Sequence, residues 1–175
     1  MQLSDAPASQ RILLPVRAST IIVSLVLALF ANFLPWRNVL YVPDFVALVL
    51  CFWCIRQPRL VGLGAAWVLG LLTDVGNGVL MGQHGLSYAL LAFACVTLSR
   101  RILWFSLVGQ ALHVGALLVF AQAVAALVRI AAGAEFPGWQ IAIGPMIGMV
   151  LWPVVTHLLL LPQRMPTDVD ENRAL

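Results

Sequence analysis

Two carboxylates are the residues best placed to do chemistry, because Asp44 and Asp74 both interrupt apolar stretches in a chain with only seven acidic residues. A charged side chain at mid-bilayer costs about 2.5–3.5 kcal/mol on insertion scales, so such groups face a protein interior or a cavity. In Val42-Pro43-Asp44, proline suits a helix start and an acid in the first turn complements the positive helix end. Asp44 is then either a buried ion-pair partner or ligand contact, or a helix-start residue in the outer interfacial zone beside Trp36 and Tyr41. Asp74 follows Gly62, Ala66 and Gly70 at four-residue steps, a small-residue stripe that admits a neighbouring helix. It either fixes the bundle or a partner helix through a polar contact, or closes its own helix by an Asx-type turn to the amides of Gly76 and Asn77.

The other polar groups are less pointed. His84 leads from Gly82-Gln83 into the next helix and reads as a satisfied interface histidine, with His113 and His157 too far off in sequence to form a metal set. Cys51-x-x-Cys54 has the spacing of a redox pair, but the third cysteine, Cys95, is isolated, so all three read as small core hydrophobes. Gln110, His113 and Gln122 offer interhelical hydrogen bonds, each worth about 0.6 kcal/mol in a membrane. Gly144-x-x-x-Gly148 makes a close-packing face, for internal packing or a partner helix, and Pro145 and Pro153, the latter after Trp152, predict kinks. No nucleophile elbow, zinc-protease motif or phosphate loop occurs, so neither catalysis nor a cofactor nor a metal is expected.

The elements that must position these residues are membrane helices. The chain of 175 residues is 62% hydrophobic and 10% charged, with mean hydropathy +0.97, a composition that lipid tolerates and water does not. Six spans are expected: 18–34, 39–55, 60–73, 86–99, 102–128 and 140–161. They make one membrane domain, 18–164, between a cytoplasmic tail, 1–17, and a flexible cytoplasmic tail, 165–175; the first span reads as a retained helix, not a cleaved signal. All basic residues are arginine. Arg11, Arg17, Arg56, Arg59, Arg100, Arg101, Arg164 and Arg173 fall on one side, and only Arg37 and Arg129 on the other, so both termini are expected in the cytoplasm. Arginines scattered in this way mark topology and give no nucleic-acid footprint. Spans 2, 3 and 4 are short against a hydrocarbon core of roughly 30 Å. The glycine-rich segment 74–85 is therefore expected to fold inward as irregular backbone covered by protein.

With these motifs in place, the chain resembles the rod shape-determining MreD family of bacteria. The resemblance rests on Leu34-Pro35-Trp36, on Pro43 before a polar residue and an apolar helix, and on Gln57-Pro58-Arg59. It continues through Gly70-Leu71-Leu72-x-Asp74, the Gly76 and Gly78 pair, Leu80-Met81-Gly82 and Leu151-Trp152-Pro153. The resemblance implies an all-α, six-helix inner-membrane bundle, N-in and C-in, similar to the substrate-capture subunits of energy-coupling-factor transporters. It implies a non-enzymatic scaffold that binds an MreC-like single-span partner and connects indirectly to MreB, to RodA and to RodA's transpeptidase partner. Partner-binding or structural polar roles would then fall to Pro43, Asp44, Gly70, Asp74, Gly78, Gly82, Trp152 and Pro153, with Gly62, Ala66, Gly144 and Gly148 packing helices. A second reading, from short helices and buried acids, is a membrane subunit that captures a small vitamin-type solute.

Overall fold

The computed structural model describes residues 17–34, 42–136 and 138–163. The tails up to residue 16 and from residue 165, together with Pro35-Trp36, Arg37, Tyr41 and Arg164, lie outside the described residues. Six α-helices follow one another: α1 (Ala18–Phe33), α2 (Phe45–Arg56), α3 (Leu63–Asn77), α4 (Gln83–Leu103), α5 (Leu107–Ala131) and α6 (Ile143–Leu160). A 3-10 turn, Trp139–Ala142, leads into α6 and another, Leu161–Gln163, ends it. Among the described residues, three stretches are long and apolar enough to cross a membrane: Gln83–Leu103, Leu107–Ala131 and Trp139–Gln163. α1 and α2 are shorter apolar helices. Apolar side chains such as Phe30, Val75, Val108 and Val150 stand exposed on the outer helices, the surface expected of a protein solvated by lipid.

Cross-helix contacts fix the directions. Trp53 Nε1 donates to Ser24 Oγ (2.8 Å) while Asn32 meets the start of α2, so α1 and α2 are antiparallel. Tyr88 lies against Asp44, and Cys95 Sγ lies 3.5 Å from Cys51 Sγ, so α2 and α4 run parallel with a constant offset. Gly115 packs on Met149 and Gly148 on Leu118, which sets α6 antiparallel to α5. Direction thus alternates along the chain, and the start of α1 and the end of α6 share one end of the bundle. α2 is the hub. Every residue from Val46 to Ile55 is buried, enclosed by α1, α4, α5 and α6. Phe52 and Trp53 meet edge to face at 4.9 Å and Trp152 reaches Phe52 from α6 at 6.2 Å.

Several expected boundaries move. α4 has 21 residues, beginning at Gln83 and running through Arg100 and Arg101, where the sequence suggested 86–99. Cations in a last turn complement the helix dipole, so the arginine pair sits inside the helix and does not end it. α5 starts after Ser106, which accepts from Gly109 N–H as its N-cap, and not at Ile102. α2 begins at Phe45, with Asp44 as N-cap and Pro43 ahead of it, not from residue 39. α3 extends to Asn77, so the expected irregular segment 74–85 shrinks to the turn between Asn77 and Gln83. Gly78 (φ 62°) and Gly82 (φ 96°) give that turn the left-handed backbone it needs. Pro145 occupies the first turn of α6, where proline is tolerated, and Pro153 lies inside it.

Candidate functional site

At one end of the bundle the C-termini of α1 and α3 meet the N-termini of α2 and α4, and both acids serve there as caps. The Asp44 carboxylate accepts Ala47 N–H (3.0 Å), capping α2, and Asn32 Nδ2 donates to it from α1 (2.9 Å). Asn32 Oδ1 in turn accepts Phe45 N–H (2.9 Å). From α4, the buried Tyr88 hydroxyl donates to Asp44 Oδ2 at 2.5 Å. Asp44 therefore starts its helix, as the second reading had it, and through neutral donors ties three helices together; it has no ion-pair partner among the described residues.

Asp74 works across a greater span. Its wholly buried carboxylate ignores Gly76 and Asn77, contrary to the Asx-turn reading, and caps the following helix. Gly82 N–H donates at 2.8 Å, His84 N–H at 2.9 Å and Gly85 N–H at 3.3 Å. His84 Nδ1 lies 2.7 Å from Asp74 Oδ1, so the ring carries its proton on that nitrogen and turns Nε2 elsewhere. The physical reason is that α4 has no side-chain cap of its own, while its amides concentrate positive potential at the end of α3. Gly70 makes this possible. A Cβ there would stand 2.5 Å from Gly85 Cα and 2.5 Å from His84 O, so only glycine lets α3 and α4 touch backbone to backbone.

Two adjoining cavities open on this network, of ≈ 250 and ≈ 310 Å³. Both are lined by Val42, Asp44, His84 and Gln122; Gln140 and Gly144 extend the first, Asn32 and Asn77 the second. Each acid already accepts several hydrogen bonds, which suits anchoring and not proton abstraction. His84 Nε2 and the side-chain amides of Gln122, Gln140 and Asn77 have no hydrogen-bond partner among the described residues, and they are polar groups left for a visitor. No group of three or more His, Cys, Asp or Glu able to hold a metal occurs among the described residues.

The structure brings Pro43, Asp44, Gly70, Asp74, Gly78 and Gly82 to this one end, with Gly144 beside Val42 O. Trp152 lies deeper, in the core, Gly148 packs against Leu118 and Leu48, and Pro153 is half-buried on α6. Ala66 is buried, but nothing lies within 4 Å of a Cβ at Gly62, so the packing stripe begins at Ala66. Gln110 and His113 bond locally, to Phe105 O and Gly109 O, and not to another helix. Asn32, Tyr88 and Gln140 are contributors that no local pattern announced. His84, read as a bland interface residue, is joined directly to Asp74.

A family model described as rod shape-determining protein MreD matches residues 10–161. The rod shape-determining protein MreD of Haemophilus influenzae is 29% identical over 146 residues, which cover 80% of this chain and 88% of that one. No solved structure matches.

Proposed function

The chain belongs to the rod shape-determining MreD family, and from that premise we propose that it is a multi-pass scaffold of the bacterial cell-elongation machinery in the inner membrane. The family match carries this reading. In it, all six helices span the bilayer as a bundle similar to the substrate-capture subunits of energy-coupling-factor transporters, with both termini in the cytoplasm. The distribution of arginine supports that orientation: Arg17, Arg56, Arg59, Arg100 and Arg101 lie at one end and, among the described residues, Arg129 alone at the other. The capped junction of α3 and α4 forms a rigid edge against which an MreC-like single-span partner packs, linking MreB filaments to RodA and its transpeptidase partner. Loops this short offer no soluble docking domain, so helix faces and loop edges must make the contact. The test is co-purification of a tagged chain with its MreC-like partner, together with cell shape on depletion. Gly70→Leu and Asp74→Leu should reduce partner yield and round the cells; full yield and rod shape in both variants would refute this edge.

One observation favours the second reading, solute capture: the paired cavities against Asp44, His84 and Gln122. Saturable binding of a small solute that is lost in Gln122→Ala would establish it, and its absence would leave the scaffold alone.

A further inference from the structure

The opposite end of the bundle carries an unassigned basic groove. Arg100, Arg101 and Leu103 in the last turn of α4, with Trp104 and Phe105 in the turn that follows, line an open hollow of ≈ 700 Å³. Neither guanidinium has a hydrogen-bond or ion-pair partner among the described residues. Among the described residues the acids are remote, since Asp44 and Asp74 cap helices at the far end and Glu135 follows the far end of α5. Arg56, at the same level on the parallel α2, is occupied over the Phe52 ring at 5.1 Å. Among the described residues, the α4–α5 turn thus presents two cations without a counter-charge directly beside apolar surface. Trp104 is 91% exposed, and Leu103 and Phe105 are exposed with it. Beyond the groove, α4 and α5 continue with exposed Phe93, Val108 and Leu112.

The geometry points to an anionic-phospholipid site at the α4–α5 turn, in which Arg100 and Arg101 hold the headgroup phosphate and Leu103, Trp104 and Phe105 seat the glycerol and upper acyl chains. Arginine suits this role because its planar fork meets phosphate oxygens in pairs. Tryptophan settles at headgroup depth, with an apolar body and one polar edge. Basic pockets on the cytoplasmic side of helix bundles take anionic headgroups. A free phosphate would satisfy the arginines but leave the apolar floor bare. A soluble acidic peptide would have to enter the headgroup layer to reach it. The site is independent of the partner edge near Asp74, at the other end of the molecule.

The test uses the full chain reconstituted in phosphatidylcholine vesicles carrying trace spin-labelled phosphatidylglycerol or spin-labelled phosphatidylcholine, reading the fraction of each label immobilised on the protein. The wild type should immobilise phosphatidylglycerol preferentially, by about fivefold for each arginine engaged. Arg100→Gln/Arg101→Gln should abolish the preference, each single variant should lower it, and Arg59→Gln, at the same end but outside the groove, should keep it. Equal loss in Arg59→Gln would replace the site with a diffuse field and overturn the proposal, as would a preference retained in the double variant. Displacement of the lipid by inorganic phosphate, or by a poly-glutamate peptide retained on pure phosphatidylcholine vesicles, would overturn it in favour of those ligands. Because both side chains are exposed, the variants should fold; if the double variant does not, the single variants decide.

Discussion

Replacing Asp74 by alanine removes an acceptor that serves three backbone amides and an imidazole, all at the head of the next helix. Loss of an N-cap costs about 1–2 kcal/mol. The imidazole bond is charge-assisted and adds about 1 kcal/mol, discounted because His84 keeps 16% of its side-chain surface exposed. The total, about 2–3 kcal/mol, well exceeds the roughly 0.6 kcal/mol of an average polar contact between membrane helices. Asp74→Asn should cost about half as much, since one carbonyl oxygen remains while the amide nitrogen faces donors. The assay is equilibrium unfolding of the purified chain by SDS in mixed micelles. A cycle with His84→Ala then isolates the imidazole bond, which should vanish as a coupling when Asp74 is already gone. An Asp74→Ala variant within about 0.5 kcal/mol of wild type would refute the reasoning, since surface-like behaviour of that size is incompatible with a buried cap.

Other substitutions test the same junction. Gly70→Ala should destabilise by about 2 kcal/mol or more in the same assay, because the new methyl meets backbone and no flexible side chain can yield. Gly62→Ala, on the same stripe but facing open space, should stay within about 0.5 kcal/mol. Tyr88→Phe should cost about 1 kcal/mol by removing the buried donor to Asp44, leaving the Ala47 cap intact; no loss would mean that hydroxyl holds nothing.

Much of the helical plan was legible because apolar runs and their punctuation are local signals. Pro43-Asp44 suited a helix start, the brevity of α2 was plain, and the step from Gly70 to Asp74 pointed at a neighbouring helix. What escaped was tertiary. An N-cap is sought one to three residues before its amides, whereas Asp74 reaches amides eight to eleven residues on, from another helix. Asn32 and Tyr88 meet Asp44 from 12 positions before it and 44 after, at distances that periodicity cannot sense. The arginine pair misled for a different reason: charges that signal a membrane boundary need not signal a helix boundary, and α4 carries both past Arg101.

The complete enclosure of α2 bears on how the protein is made. Twelve residues give a rod of about 18 Å, too short to bridge roughly 30 Å of hydrocarbon. Its sheath includes α4, α5 and α6, all synthesised later. In the proposed six-span arrangement, mismatch with bilayer thickness is thus a problem only for the unfinished chain. Once the later helices wrap it, the short rod has protein on every side, and the lipid never measures its length.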